Sequence, residues 1–257
     1  MSATASSFLR RRGAPPLVSW HRGGGEVAPK ATLAAFEAAF SRRAELVEVD
    51  VRRTADGVLV CVHDPTIDGL GAVDQLEFGA LSEEQRASVL TYDAFLASLE
   101  GLNPSGETAI HLDLKGTGFE VASVEPLEAL DRRFFVTTSA QSSIALLRRR
   151  DRSTEAFLTI GSSRVGLSNL ERAWLRTTET LPYSAITGCD ATGIAIHFHL
   201  LTTPLLRWCH RTGRTVVVWT VDRPRHLERF LTSEVDVVTT NRPMWALERR
   251  SVLSPRR

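Results

Sequence analysis

Lysine is almost missing from this chain of 257 residues: of its 31 basic residues only Lys30 and Lys115 are lysine, and the others are arginine. Because arginine supplies nearly every positive charge, we interpret a retained lysine as one that its chemistry requires. A large charge of one sign is also missing, since 30 acidic residues leave a net charge of +1. We therefore do not expect the chain to bind nucleic acid by general electrostatics.

Cysteine and long apolar runs are scarce as well. Cys61, Cys189 and Cys209 are odd in number and far apart, which fits neither a disulfide framework nor a zinc-ligand spacing. No stretch approaches the roughly 18 apolar residues of a membrane span, and no signal-peptide run follows the arginines at 10–12. We therefore expect a cytoplasmic protein without stable membrane insertion.

Short β-branched apolar runs, with helical patterns between them, predict eight parallel strands. The candidate strands are Leu17–Trp20, Leu46–Val51, Ala109–Leu114, Phe134–Thr138, Ala156–Ile160, Gly193–Phe198, Thr215–Thr220 and Val235–Thr239. The clearest helical patterns cover Ala31–Arg42, Leu201–Arg211 and Pro224–Leu231. Eight buried strands that alternate with helices favour an α/β fold, the (β/α)8 TIM barrel.

Barrels of this class often form a single unit of about 250 residues. We therefore expect a flexible N-terminal tail over residues 1–16, one barrel domain over residues 17–247 and a C-terminal tail over residues 248–257. The sequence does not predict an oligomeric state.

One apolar run breaks the alternation and predicts an extra β-hairpin after the second strand. Val58–His63 follows Glu48–Arg53 too closely for a crossover helix, and Asp56-Gly57 is a strong hairpin signal. With Asp56-Gly57 as a two-residue loop, Asp50 faces His63, and a bulge would shift the pairing by one residue.

In a barrel of this kind the functional site lies at the C-terminal ends of the strands. Glu48 and Asp50, two residues apart, project to the same face of a strand, and so do Asp113 and Lys115. Three carboxylates without cysteine suit a hard cation, Mg²⁺ or Ca²⁺, better than zinc.

Histidines and further cations lie near the same strand ends. His21 and His63 suit a general acid and a general base, because imidazole exchanges protons near neutral pH. Arg22 and Lys115 suit a phosphate, the first as a planar fork and the second as a point charge. Together with the acids, these residues predict phosphodiester cleavage.

These residues belong to an ordered series of motifs from about residue 17 to residue 245. The series is His21-Arg22-Gly23, Glu48-Val49-Asp50-Val51, Thr54, Asp56-Gly57, His63-Asp64, Asp113-Leu114-Lys115, Trp219-Thr220-Val221-Asp222 and Thr239-Thr240-Asn241-Arg242-Pro243. In this order the motifs resemble the glycerophosphodiester phosphodiesterase family.

The resemblance implies a (β/α)8 barrel that hydrolyses glycerophosphodiesters to glycerol 3-phosphate and an alcohol with Mg²⁺ or Ca²⁺. The implied roles are metal ligands for Glu48, Asp50 and Asp113, acid and base for His21 and His63, phosphate contacts for Arg22 and Lys115, and a wall against the glycerol or leaving group for Trp219. The expected partner is a small-molecule phosphodiester.

Three positions depart from the family pattern. Lys30 and Ala31 stand where the family usually has Glu and Asn, Asp113 replaces the usual Glu, and the loop over Pro65–Gly71 is shortened. The departures motivate one alternative, a degenerate barrel that binds phosphodiesters without catalysis. A related lipid phosphodiesterase of the phospholipase D or C type is the other.

Several residues have two open interpretations. His199 lies two residues after His197, so both point one way on a strand, as substrate-binding or as structural histidines. Arg22 contacts a phosphate or braces its loop by pairing with an acid. Asn241 orients the metal site or caps the next helix, and His111 packs the lumen or supports a ligand.

Overall fold

The computed structural model describes residues 8–9, 13–161 and 183–253. The chain forms two compact units: a central unit, Ser19–Phe134, and a flanking unit made of residues 1–18 and 135–257. Of the two predicted tails, residues 1–7, 10–12 and 254–257 lie outside the described residues. The last helix continues to residue 253, past the predicted domain end at residue 247, and the predicted boundaries stay predictions.

The central unit begins with alternating strands and helices. Its elements are β1 (Leu17–Trp20), α1 (Leu33–Ser41), β2 (Leu46–Arg53), β3 (Leu59–Val60), β4 (Thr66–Ile67), β5 (Gly71–Ala72), α2 (Glu83–Ala87), α3 (Tyr92–Leu102), β6 (Ala109–Leu114) and α4 (Glu120–Ala129). Parallel pairing of β1 with β2 matches Ser19 with Leu46. Parallel pairing of β2 with β6 matches Asp50 with Asp113, so two acidic residues become direct neighbours.

Helix α1 begins where the sequence places a capping threonine. The Thr32 hydroxyl accepts a hydrogen bond from the Ala35 amide, which satisfies one of the amides left free at a helix start. Phe36 and Phe40 lie on the buried face of α1, and both rings pack edge-on against Phe95 of α3. This aromatic contact fixes α1, and with it the turn before α1, against the rest of the central unit.

The predicted hairpin exists, and its register differs by one residue from that of a two-residue loop, which is the shift that the bulge alternative expects. β2 pairs antiparallel with β3 through Arg52 with Val60 and Arg53 with Leu59, so Asp50 does not face His63. The reason is the loop length: the Thr54 amide bonds the Val58 carbonyl, which leaves three loop residues, and Gly57 closes them at φ +92°. Three-residue hairpin loops characteristically end with such a left-handed residue.

The segment after the hairpin has a small apolar core of its own, which we name the hairpin cluster. Its members are Val58, Val60, Val62, Ile67, Leu70, Val73, Phe78 and Val89. The chain leaves β2 after Val60 and bonds the next segment instead, since the Cys61 amide donates to the Leu90 carbonyl at 2.8 Å. The predicted strand to His63 therefore ends early.

The flanking unit continues the alternation. Its elements are β7 (Phe134–Thr138), α5 (Gln141–Arg150), β8 (Ala156–Ile160), α6 (Tyr183–Gly188), β9 (Gly193–His197), α7 (Thr203–Arg211), β10 (Thr215–Trp219), α8 (Pro224–Leu231), β11 (Val237–Thr240) and α9 (Pro243–Leu253). Strands β7 to β11 pair in parallel with their neighbours in sequence. The element order is that of a (β/α)8 barrel with an extra hairpin after the second strand, and the predicted fold class is confirmed.

All three cysteines are free and buried. Burial raises the pKa of the Cys61 and Cys209 thiols, the latter to about 12, so neither forms a thiolate at neutral pH. Within the described ranges, every helix is too short or too polar to cross a membrane.

Candidate active site

Three carboxylates from two neighbouring strands meet in the central unit. Glu48 and Asp50 of β2 and Asp113 of β6 each offer one oxygen, and these oxygens lie within 4.8 Å of one another. We name these residues the carboxylate cluster. The two-residue spacing puts Glu48 and Asp50 on one face, and the β2–β6 register brings Asp113 beside Asp50. The sequence prediction that these acids share one face is confirmed.

Two cations contact the carboxylate cluster. The Arg22 Nε lies 2.7 Å from one Asp50 oxygen, and the Lys115 Nζ lies 3.1 Å from the other. Lys115 also donates a hydrogen bond of 2.6 Å to Asp113. Three carboxylates against two fixed cations leave one negative charge when all are ionised. A further cation is therefore electrostatically favoured there.

A strained turn holds Arg22 in place. Arg22 has φ +52°, and its amide donates a hydrogen bond of 2.8 Å to Glu48 Oε2. The next residue, Gly23, has φ +79°, and a β-carbon there would lie 2.8 Å from the Ala35 backbone carbon. Glycine is thus required at position 23 by conformation and by the close approach of α1. Arg22 braces this turn through an acid, and its predicted phosphate contact stays a prediction.

The two acids of β2 have opposite pKa shifts. Burial, reinforced by the neighbouring Asp50 and Asp113, raises the pKa of Glu48 well above its ordinary value. Burial also acts to raise the pKa of Asp50, but Lys115 and Arg22 outweigh it and lower that pKa to about 2. Asp50 is therefore ionised at neutral pH, whereas burial and the neighbouring acids oppose the ionised form of Glu48.

The carboxylate cluster fits a hard divalent cation. Both oxygens of Asp50 are buried and accept no hydrogen bond from any described residue, although each contacts a cation. Carboxylate oxygens on rigid strands are the ligand type that Mg²⁺ and Ca²⁺ prefer. A dication would outweigh the remaining negative charge and favour the ionised form of Glu48. Which ion binds stays a prediction.

The two predicted catalytic histidines differ in exposure. His21 is mostly buried, and its Nε2 lies 4.0 Å from Glu48 Oε2. His63 is 42% exposed, and its Nδ1 lies 2.7 Å from Asp64 Oδ1. The positions of both rings are set by the central unit, and their acid and base roles stay predictions.

His111 lies two residues before Asp113 on β6 and is buried. Its Nδ1 lies 3.2 Å from the Ser19 hydroxyl. Burial, with a smaller effect of His21, lowers the pKa of His111 to about 3, so the ring is neutral. His111 thus contributes packing and a contact with Ser19, and its role in supporting a ligand stays a prediction.

Arg52 is the residue that sequence reasoning missed. Its guanidinium donates hydrogen bonds to the carbonyl of His63, from Nε at 2.9 Å and Nη2 at 2.7 Å, and to the carbonyl of Lys115, from Nη1 at 2.8 Å. Both acceptors are backbone atoms of residues far along the chain. The arginine-rich sequence holds no local signal for such contacts.

The remaining predicted binding residues belong to the flanking unit. Trp219 ends β10, its buried indole nitrogen has no hydrogen-bond partner within the described ranges, and its ring meets His197 edge-on at 5.4 Å. His199 follows β9, where its amide donates to His197 Nδ1 at 3.4 Å. Substrate contacts by Trp219 and His199 stay predictions.

Asn241 has a structural partner in the same unit. Its side-chain amide donates to Asp222 Oδ2 at 2.7 Å, and its backbone amide donates to Asp222 Oδ1 at 2.8 Å. Asp222 therefore ties the end of β11 to the end of β10, and both interpretations of Asn241 stay open.

The altered motif after the first strand is exposed. Ala31 has φ +62°, and its amide bonds the Arg22 carbonyl at 2.9 Å, so this loop packs on the Arg22 turn. Lys30 is exposed beside it. A left-handed alanine is unfavourable by roughly 1 kcal/mol, a cost that glycine or asparagine largely avoids.

The site residues of the central unit fall within one family match. The family model described as the glycerophosphoryl diester phosphodiesterase family matches residues 21–121. A Mycobacterium tuberculosis protein named probable glycerophosphodiester phosphodiesterase 1 is 30% identical over 235 residues, which cover 80% of this chain and 82% of that protein.

Solved structures of similar fold cover nearly the whole chain. A glycerophosphodiester phosphodiesterase from Parabacteroides distasonis has a TM-score of 0.73 at 22% identity, covering 94% of this chain and 98% of its own. An Oleispira antarctica phosphodiesterase, in complex with the product sn-glycerol-3-phosphate, has a TM-score of 0.69 at 19% identity and covers 91% and 96%.

Proposed function

The chain belongs to the glycerophosphoryl diester phosphodiesterase family, and from this premise we propose that it hydrolyses glycerophosphodiesters to glycerol 3-phosphate and an alcohol. The observation that carries the proposal is the carboxylate cluster, whose oxygens lie within 4.8 Å of one another and contact two cations. A related fold binds the expected product, since the Oleispira antarctica structure contains sn-glycerol-3-phosphate.

Lys115 and Arg22 would bind the phosphate. Each is already held by Asp50, so little side-chain entropy is lost when a phosphate oxygen arrives. Burial opposes the charge of Lys115, but Asp113 and Asp50 raise its pKa above the ordinary value, so it remains a cation at any pH of interest. These residues supply positive charge where the phosphodiester gains negative charge in the transition state.

Glu48, Asp50 and Asp113 would hold Mg²⁺ or Ca²⁺. When bound, such an ion polarises a phosphoryl oxygen and stabilises negative charge in the reaction. The carboxylates keep their oxygens oriented through β2, β6 and the Arg22 amide, so the site is organised before any ligand arrives.

His21 and His63 would act as acid and base. One imidazole removes the proton from the nucleophilic hydroxyl or water, and the other gives a proton to the leaving oxygen. Asp64 orients His63 through the 2.7 Å contact to Nδ1, which leaves Nε2 for proton exchange. The cytoplasmic location and the identity of the alcohol stay predictions.

The test is hydrolysis of glycerophosphocholine with and without Mg²⁺ or Ca²⁺. We expect release of glycerol 3-phosphate, and a loss of about 10²- to 10⁴-fold in kcat for His21→Ala and for His63→Ala. His210→Ala is the matched control, because His210 pairs with Asp236 in the flanking unit. Full activity of both site variants would refute the acid and base roles, and hydrolysis of intact phospholipids alone would refute the substrate class.

A further inference from the structure

Arg52 joins two segments that carry predicted catalytic chemistry. It lies two residues after Asp50 on β2, and the three hydrogen bonds of its guanidinium all end on backbone carbonyls. Two go to His63 on the hairpin, and one goes to Lys115 just beyond β6. A guanidinium is planar and rigid, so this fork fixes the distance between its acceptors.

The two segments depend on Arg52 to different degrees. The Lys115 amide also donates to the Val51 carbonyl at 3.0 Å, and the Lys115 ammonium contacts Asp50 and Asp113. His63 has less support, because the β2–β3 ladder ends at Val60 and the ring contact is to exposed Asp64. Val62 packs in the hairpin cluster and the Pro65 carbonyl accepts from the Val73 amide, but the carbonyl of His63 itself is held by the two hydrogen bonds from Arg52.

We propose that Arg52 is a positioning residue for His63 and acts on catalysis through that histidine. The inference rests on the proposed function, in which His63 exchanges a proton with the substrate or the water. The guanidinium suits this role because its several donors satisfy the His63 carbonyl, which lies beyond the last pair of the β2–β3 ladder. Without the fork, the His63 backbone is released while the carboxylate cluster keeps its own contacts.

The expected effect falls on turnover and spares binding. A displacement of about 1 Å at a catalytic group costs on the order of 10²-fold in rate. We expect Arg52→Gln to lower kcat by about 10- to 100-fold and to change the Kd for glycerol 3-phosphate by less than about 3-fold. Arg52→Lys keeps the charge but bonds one carbonyl at most. Its kcat should therefore lie between that of the wild type and that of Arg52→Gln.

Arg53→Gln is the matched control. Arg53 is the next residue on β2, is exposed, and donates a hydrogen bond of similar length, 2.7 Å, to the Gly118 carbonyl. It touches neither His63 nor Lys115 in the contacts above. We expect wild-type kcat for this variant, and thermal unfolding of all variants shows whether any loss reflects folding.

The kcat of a double variant and the NMR spectrum of labelled histidine decide whether Arg52 acts through His63. In the His63→Ala background, Arg52→Gln should lower kcat by less than about 2-fold, because its route of action is gone. In ¹³C-histidine-labelled protein with excess Mg²⁺, the ring signal of His63, identified by its loss in His63→Ala, should shift in Arg52→Gln and stay unchanged in Arg53→Gln.

Two results would overturn the proposal. One is a multiplicative loss of kcat in the double variant, and the other is an unchanged His63 signal in Arg52→Gln. If Arg52→Gln does not fold, Arg52→Lys carries the same two measurements. If the wild-type protein hydrolyses no glycerophosphodiester, the proposed function is refuted. The spectrum needs no turnover, so it still decides whether Arg52 positions His63.

Discussion

Two side-chain contacts of an aspartate in the central unit have the same length and opposite surroundings. Arg22 and Asp50 meet at 2.7 Å, with Asp50 only 4% exposed. His63 and Asp64 also meet at 2.7 Å, but Asp64 is 73% exposed. Distance alone would give the two pairs equal weight.

Burial makes the two pairs unequal. Exposed pairs contribute about 0 to 1 kcal/mol, because water screens the charges and the side chains lose entropy. Breaking a buried pair leaves an uncompensated charge in a medium of low polarity and costs about 3 to 5 kcal/mol. The central unit therefore combines a buried charge network, in which loss of one partner is costly, with an exposed contact, in which it is not.

The largest effect is expected from Asp50→Asn. The change removes the shared partner of Arg22 and Lys115 and one oxygen ligand, so activity should fall by more than about 10³-fold, and the free energy of unfolding should fall by about 3 to 5 kcal/mol. Urea unfolding and glycerophosphocholine hydrolysis measure both. A loss below about 1 kcal/mol would show that the buried pair is no stronger than the exposed one.

Divalent ions should stabilise the folded protein by binding the buried carboxylate cluster. At 100 times its Kd, an ion that binds only the folded state raises the free energy of unfolding by about 2.7 kcal/mol. We expect this increase when Mg²⁺ or Ca²⁺ replaces EDTA, and its loss in Asp113→Asn. Asp64→Asn should respond like wild type, and an equal loss in both variants would contradict a site at the carboxylate cluster.

Acid should remove the stabilisation by Asp50 in the metal-free protein. The folded-state pKa of about 2 lies below the ordinary 3.8, so ionised Asp50 stabilises the fold above about pH 4, and this is lost as pH falls through about 2. The contribution is about 2 kcal/mol. Glu48 acts oppositely: its raised pKa gives stability at low pH that is lost as pH rises.

The stability gap between wild type and Asp50→Asn should therefore narrow between about pH 4 and pH 2. Urea unfolding at a series of pH values in EDTA measures the gap. A gap that stays constant over this range would mean that Asp50 is not stabilised by its cations.

The smallest effect is expected from Asp64→Asn. Because the His63–Asp64 pair is exposed, the free energy of unfolding should change by less than about 1 kcal/mol, as urea unfolding at pH 7 would show. A loss comparable to that of Asp50→Asn would erase the distinction between the two pairs.

The alternation of side chains along a strand and the order of the strands made the carboxylate cluster predictable. Alternation along β2 places Glu48 and Asp50 on one face, and a parallel neighbour brings Asp113 beside them. The hairpin register was not predictable from Asp56-Gly57 alone, because Thr54 closes a three-residue loop through its backbone and hydroxyl. Such a choice depends on side-chain bonds that a dipeptide signal does not contain.

The fork of Arg52 was beyond sequence reasoning for another reason. Its acceptors are carbonyls, which every residue possesses, so no residue type at position 63 or 115 indicates them. Arg22 shows an intermediate case: both of its interpretations came from the sequence, the 2.7 Å contact with Asp50 supports the bracing role, and the phosphate contact stays a prediction.

The hairpin cluster marks a part of the chain whose sequence can vary. Its buried valines, Val60, Val73 and Val89, pack with Phe78 and four other apolar side chains of the same segment, so the segment after β2 has an apolar core of its own. Residues of this segment after Asp64 could change without altering the pairing of β2 with β6, provided that the segment keeps His63 and its carbonyl contact with Arg52. Relatives could thus come to release different alcohols through changes in this loop, while the carboxylate cluster and its cations stay the same.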